Sequence, residues 1–184
     1  MDAGRAAGSA SGPPYKAKAI ANFFLAKGEA EGMPLSNMKL QKLVYFAHGW
    51  HLALIGAPLI DERIQAWEFG PVVRTLYDEF KSYGSAPITG RAQSLETTGA
   101  HLRFFEPDVP STDTQTVALL DRVWETYKKF NAYQLSALTH TAGSPWDVTW
   151  SANTGVRNVT IDDDAIRTAF AKAADANRAA RKAS

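Results

Sequence analysis

The stretch from Ser36 to Gly84 constrains the fold more than any other part of the chain, because it contains one long helical pattern that is apolar on two faces. Apolar residues at spacings of three and four predict a helix from about Asn37 to Ile55. Ser36 is a suitable N-cap, and Gly56 followed by Pro58 ends the pattern. The first face holds Leu40, Leu43, Val44, Ala47 and Leu54, and the second holds Tyr45, Phe46, Trp50 and Ala53. Such a helix belongs at the centre of a domain, with other elements packed on several sides.

Weaker patterns on both sides of this helix predict its neighbours. A first helix pattern runs from Tyr15 to about Ala30. The segment from Ile64 to Phe69 alternates apolar and polar residues, which predicts a short strand. Gly70 then breaks the strand, and Pro71 is expected to open a helix that ends near Gly84.

The second half of the chain contains three more helix patterns and one strand pattern. His101 to Phe105 predicts a strand that pairs with the first strand, after an irregular loop from Ala86 to Ala100. Helices are predicted from a cap at Ser111 or Thr112 to Phe130, from Ala132 to His140, and from a cap at Thr160 onward, with a turn at Gly143–Trp146. The expected fold is mainly α (α+β): a compact bundle of about six helices around a central buried helix, with a small antiparallel β-ribbon.

The length and composition of the chain indicate one globular domain. With 184 residues, 45% hydrophobic and 21% charged, the chain can bury a core of ordinary size. We divide it into a flexible leader at residues 1–14, a single domain at 15–170 and a basic, Ala-rich C-terminal tail at 171–184. It has no cysteine, no apolar run long enough to span a bilayer and no signal-peptide pattern, so we expect a cytoplasmic protein.

Three segments carry a family resemblance: NMKLQKLVYFAHGWHLAL, APLIDERIQAWEFGPVVRTLYDEFKSYG and LSALTHTAGSPW, in this order. Together they resemble the Panacea domain family, also called SocA-like or GepA-like phage-associated proteins. The resemblance covers about two thirds of the chain or more. The prominent motif residues in these segments are Trp50, Trp67, Gly70, Pro71, His140 and Trp146. The resemblance implies an antitoxin, which binds and neutralises a toxin encoded beside it, commonly on a prophage or another mobile element.

The sequence lacks the common patterns of catalytic and metal sites. His48 and His51 are three positions apart on the predicted helix, but no HExxH pattern, adjacent carboxylate or cysteine completes a metal site, so hydrogen bonding at the helix edge explains them better. His140 has no nucleophile near it in sequence and is expected to tie a helix end to the turn that follows it. Because GxSxG, GxGxxG and P-loop patterns are missing too, we expect no enzyme, no catalytic residue, no metal and no cofactor. The remaining enzymatic alternative is a site assembled from distant residues such as His51, Glu68 and His140.

The expected function is therefore antitoxin activity through direct binding of a cognate toxin protein. Two groups of residues are predicted as partner contacts, one on the polar edge of the central helix and one around the Gly70–Pro71 corner. The first group is Lys39, Gln41, Lys42 and the adjacent Tyr45, and the second group is Glu68, Arg74, Asp78 and Lys81. The partner could dock a helix in a groove or add a strand to the edge of the ribbon.

Two mechanisms and one other class of function stay open. Occlusion would hold the toxin inert in a stable complex, whereas delivery would present it to a cytosolic AAA+ protease and make this protein a proteolytic adaptor. The alternative class is a DNA-binding regulator of a prophage or mobile element, supported by the basic tail. A net charge of +1 and the lack of a DNA-binding motif disfavour nucleic acid as a partner, and no membrane is expected.

Overall fold

The computed structural model describes residues 12–98 and 101–182. Seven α-helices and five short strands lie in this part of the chain. The helices are α1 (Ala17–Ala30), α2 (Asn37–Ile55), α3 (Arg74–Phe80), α4 (Thr114–Tyr127), α5 (Ala132–Thr139), α6 (Pro145–Ala152) and α7 (Asp163–Lys182). The strands are β1 (Ile64–Trp67), β2 (Gly70–Val73), β3 (Ser94–Thr98), β4 (His101–Phe105) and β5 (Val159–Thr160). Most of the predicted leader, residues 1–11, lies outside the described residues.

The structure confirms a mainly helical fold built around α2. This helix has the predicted bounds, since the Ser36 hydroxyl accepts a hydrogen bond from the Lys39 N–H (3.4 Å) and Gly56 ends the helix with a left-handed φ of 81°. Helices α1, α4, α5 and α7 pack around it. Within the described residues, no helix combines the length and the hydrophobicity needed to cross a membrane.

A three-stranded antiparallel sheet lies beside the central helix. Its strand order is β2–β1–β5, with β2 next to α2. In the β1–β2 hairpin, Ile64 pairs with Val73 and Trp67 pairs with Gly70. Glu68 therefore begins a two-residue turn that leads directly back along the sheet.

The prediction that Pro71 opens a helix is wrong. Pro71 lies in β2, and the helix that follows begins only at Arg74. Because β2 is an edge strand, a residue without a backbone N–H can lie there without removing a ladder hydrogen bond. Gly70 allows the chain to reverse its direction between β1 and β2, because its φ of 104° is a backbone conformation that residues with a Cβ atom rarely adopt.

A second, two-stranded ribbon is formed by β3 and β4. The prediction of a strand at His101–Phe105 is confirmed, but the predicted pairing with β1 is wrong. The partner is instead Ser94–Thr98, inside the segment that was predicted to be an irregular loop. Two residues separate these strands in sequence, so local pairing has a much smaller loop-closure cost than pairing with β1.

The C-terminal part of the domain contains two further differences. The turn predicted at Gly143–Trp146 is the start of α6, in which the Ser144 hydroxyl accepts a hydrogen bond from the Asp147 N–H (3.1 Å) and Pro145 holds the first helical position. Thr160 lies in β5 rather than capping the last helix, which begins at Asp163. Helix α7 continues to Lys182, so residues 171–182 of the predicted tail are helical and mostly exposed.

A glycine allows α7 to approach the central helix closely. A Cβ atom built on Gly49 would lie 2.4 Å from the Phe170 ring, which is closer than packed carbon atoms come. The Phe170 ring also makes an edge contact with Trp50, with centroids 5.1 Å apart. A hydrogen bond of 3.0 Å between His48 Nε2 and the Asp163 carboxylate joins the two helices near the start of α7.

We expect Gly49→Ala to destabilise the protein by about 1–3 kcal/mol, because the methyl group overpacks the contact with Phe170. The sign of this change in the free energy of unfolding is informative, since a glycine-to-alanine change inside an exposed helix stabilises by about 0.5–1 kcal/mol. Thermal unfolding of Gly49→Ala, Phe170→Ala and the double variant measures the coupling. If Gly49→Ala costs as much in the Phe170→Ala background as in the wild type, the clash is not the cause.

Candidate functional site

The turn between β1 and β2 is held by side chains from three other parts of the chain. We call the segment Trp67–Val73 the pinned turn. Its carbonyl groups at positions 67, 69, 71 and 73 each accept a hydrogen bond from a side chain. The donors are Trp146 Nε1 (2.8 Å), Ser136 Oγ (2.9 Å), Lys42 Nζ (3.1 Å) and Gln41 Nε2 (3.3 Å), in that order. The carbonyl at position 68 lies 3.2 Å from His140 Nε2. The backbone of the turn is therefore fixed in one conformation by groups outside the sheet.

Helix α2 supports the β2 side of the turn. Gln41 Oε1 also accepts a hydrogen bond from the Val73 N–H (2.8 Å), so one amide side chain holds both backbone groups of that residue. Lys42 is 1% exposed, and burial lowers the pKa of its amine to about 7. Tyr45 is buried one turn further along, and burial raises the pKa of its phenol.

Helices α5 and α6 support the β1 side of the turn. The His140 ring lies against the Trp146 indole, with centroids 3.7 Å apart. His140 Nδ1 contacts the Ser136 carbonyl (2.6 Å) while Nε2 contacts the Glu68 carbonyl (3.2 Å). The prediction that His140 ties its helix end to the following turn is wrong about the turn, because the ring contacts the turn between β1 and β2 and the Trp146 side chain of α6.

The side chains at the tip of the pinned turn point away from these supports. Phe69 is 63% exposed, and Glu68 is exposed as well. An aromatic residue on a backbone that is already fixed loses little conformational entropy when a partner covers it. The tip has the composition and rigidity of an interface anchor.

The predicted contact residues of α2 are not at an exposed edge. Gln41, Lys42 and Tyr45 are buried, and Lys39 is half-buried with its Nζ donating to the Lys128 carbonyl (2.6 Å). The expectation of an exposed polar edge is therefore wrong for this part of the helix. The physical reason is that backbone carbonyls of neighbouring elements provide hydrogen-bond acceptors for the long polar side chains. Gln41 and Lys42 therefore support the turn from inside the domain.

The four residues predicted around the Gly70–Pro71 corner are exposed. Arg74 Nε and Lys81 Nζ each lie 3.1 Å from a carboxylate oxygen of Asp78, and these two cations lower the pKa of that carboxyl. The Arg74 guanidinium also lies 6.0 Å from the centroid of the Trp67 ring. Together with Glu68, this charged cluster forms the surface next to the tip of the pinned turn.

Two clefts border the pinned turn. The first, of about 710 Å³, lies between β1, α3, the end of α6 and residues 153–158. The second, of about 330 Å³, lies between α2, the tip of the turn and α3. Trp67, Glu68 and Tyr77 line both. Sequence reasoning missed Trp150 in the first cleft, because α6 was read as a turn.

His48 and His51 of α2 also have structural partners. His48 Nδ1 accepts a hydrogen bond from the Ile60 N–H (3.4 Å), while His51 Nδ1 donates to the Ala57 carbonyl (2.6 Å) and burial lowers the pKa of this imidazole. No group of three metal-binding side chains is present in the described residues. His51 lies about 13 Å along α2 from Lys42, so it is separate from the turn where Glu68 and His140 meet.

Comparisons with known proteins place the chain among antitoxins. A family model described as "Antitoxin SocA-like, Panacea domain" matches residues 40–147. The chain is also similar to "Antitoxin SocA" of Caulobacter vibrioides (strain NA1000 / CB15N), with 39% identity over 133 residues, covering 72% of this chain and 69% of that protein. No solved structure matches the chain significantly. The matched residues 40–147 include the pinned turn and the five side chains that hold it.

We expect Ser136→Ala to destabilise the protein by about 1–2 kcal/mol, because the Phe69 carbonyl loses its donor. The matched control is Ser151→Ala on α6, an exposed serine whose side chain makes a 3.5 Å hydrogen bond to Asp147. This control should leave stability unchanged or raise it slightly, because alanine has the higher helix propensity. Chemical denaturation of both variants measures the difference, and equal effects would show that the turn is not held by Ser136.

Proposed function

The chain belongs to the family of SocA-like antitoxins with a Panacea domain, and we propose that it neutralises its cognate toxin by direct binding at the pinned turn. Its family membership gives it the role of an antitoxin and favours a regulatory rather than a catalytic protein. The mode of neutralisation and the surface used are our inference from the arrangement of the site.

The observation that carries this proposal is a rigid turn with exposed, interface-type side chains. Four side-chain hydrogen bonds and the His140 ring hold the backbone of the turn, while Phe69 remains 63% exposed at its tip. Aromatic residues on preorganised backbones contribute most to protein–protein affinity. The charged cluster of Arg74, Asp78 and Lys81 beside the tip supplies the polar rim that surrounds such an anchor.

In the proposed complex, Phe69 is the central anchor and Glu68 and Arg74 are contacts at its rim. The predicted residues Gln41 and Lys42 act indirectly, by holding the turn. Occlusion needs only this surface. Delivery to a cytosolic AAA+ protease needs a second surface as well, and residues 171–182 of α7 are mostly exposed and available for one.

We expect co-expression of this chain with the protein encoded beside it to restore growth of cells that the neighbour alone inhibits. Phe69→Ala should abolish this rescue and weaken binding at least tenfold, because it removes the anchor without touching the core. The matched control is Phe104→Ala on β4, where the side chain is 72% exposed. Growth, pull-down stoichiometry and thermal unfolding are compared for the three proteins, and wild-type affinity in Phe69→Ala would refute the assigned surface.

The amount of partner in the rescued cells separates the two mechanisms. Occlusion predicts that the partner accumulates and co-purifies at fixed stoichiometry. Delivery predicts that the partner disappears, and that it returns when the cytosolic AAA+ proteases are deleted. If the neighbour is not toxic and forms no complex, the DNA-binding alternative is tested by a salt-dependent mobility shift of the chain's own promoter.

A further inference from the structure

The second cleft, of about 330 Å³ beside the pinned turn, has apolar walls and one buried amine. Met38 and Val72 contribute to the walls, and Phe69 lies at the rim. Lys42 also lines the cleft, although its side chain is almost completely inaccessible. An amine in such surroundings is costly to keep charged unless a partner group compensates it.

Two side chains in this cleft, Lys42 and Asn37, have unused hydrogen-bond donors. A lysine amine can donate up to three hydrogen bonds, and Lys42 uses one of them on the Pro71 carbonyl. Asn37, which also lines the cleft, uses its Oδ1 atom to accept from Gln41 Nε2 (3.5 Å). Its Nδ2 amide group makes no hydrogen bond with the described residues. The cleft therefore offers unused donors inside an apolar pocket.

The charged groups around Lys42 do not neutralise it. Glu68 and Tyr77 line the same cleft from the turn and from α3, and His140 faces the turn from α5. Lys42 makes no ion pair with any of the described carboxylates, and burial alone lowers the pKa of its amine to about 7. Near neutral pH the amine is therefore poised between its two forms.

We propose that the cleft receives an acidic side chain of the toxin, whose carboxylate accepts hydrogen bonds from Lys42 and Asn37 while an adjacent apolar residue packs on Met38 and Val72. This inference rests on the proposed function. Charge complementarity with Lys42 supports it, since a carboxylate has acceptors only and matches the unused donors of Lys42 and Asn37. The position supports it as well, because a partner that covers Phe69 also covers the mouth of the cleft.

Proton uptake follows from this arrangement. The toxin carboxylate is ionised above pH 5 and favours the charged form of Lys42, so binding raises the pKa of the amine. Below pH 7 the free amine is already protonated and affinity is at its maximum. Above pH 7 each binding event must take up a proton, so affinity falls roughly tenfold per pH unit until the pKa of the bound amine is reached.

The test measures the affinity of the neighbour-encoded protein at pH 6.5, 7.5 and 8.5 for three chains: the wild type, Lys42→Met and Lys129→Met. Wild type and Lys129→Met, a matched change of an exposed lysine outside the proposed surface, should lose roughly tenfold in affinity between pH 7.5 and 8.5. Lys42→Met should bind more weakly at pH 6.5 and show no such slope. Thermal unfolding of Lys42→Met monitors the loss of the Pro71 contact separately.

A second measurement uses the wild-type chain alone. Carbon-13 NMR of labelled lysines follows the pKa of Lys42 during titration with benzoate, and with benzamide as the uncharged control. A rise in this pKa with benzoate but not with benzamide supports the cleft as a carboxylate site. If the neighbour binds independently of pH and benzoate leaves the pKa unchanged, the cleft inference is overturned while the proposed function stands. If no complex forms, the proposed function fails and the benzoate titration alone decides the cleft.

Discussion

The burial of polar side chains on the central helix is the constraint on which the rest of the structure depends. Helix α2 is covered on nearly every side, yet it carries Gln41, Lys42 and His48 in its interior-facing positions. A buried polar group without a partner costs on the order of 1–3 kcal/mol, so each of these side chains needs a fixed acceptor or donor. The backbone of the β1–β2 turn supplies those groups for Gln41 and Lys42. The helix and the turn therefore specify each other's position.

This mutual dependence explains why three distant segments act as one site. Side chains from the first and third resemblance segments, α2 and α5–α6, converge on the backbone of the second, the turn itself. Gly70 completes the arrangement, because a Cβ atom there would lie 2.7 Å from both Lys42 Nζ and Thr139 Oγ1. The main role of the three resemblance segments is therefore to fix the conformation of the β1–β2 turn. This role differs from the partner contacts that the sequence predicted for their polar residues.

The sequence predicted what is encoded locally and missed what depends on distant partners. The bounds of α2 could be read directly, because periodicity, an N-cap and a C-terminal glycine all agree. Pro71 in β2 could not, since proline is equally compatible with a helix start and an edge strand. The burial of Lys42 could not be predicted either, because its acceptor lies 29 residues away in sequence and a lysine in a helix is ordinarily solvated. Helix α6 had readable signals at Ser144 and Pro145, but too few residues for periodicity to confirm them.

The way the turn is held has a consequence for specificity. All five supporting side chains bind carbonyl groups of the backbone, and none of these contacts involves the side chains of Glu68 or Phe69. Replacing either exposed side chain therefore leaves the support intact, so the tip can change its chemistry without a cost in folding. The support of the turn resides in α2, α5 and α6, whereas the recognition that we propose resides in two side chains and the clefts beside them. Under this proposal, substitutions at the tip alone change the toxin partner.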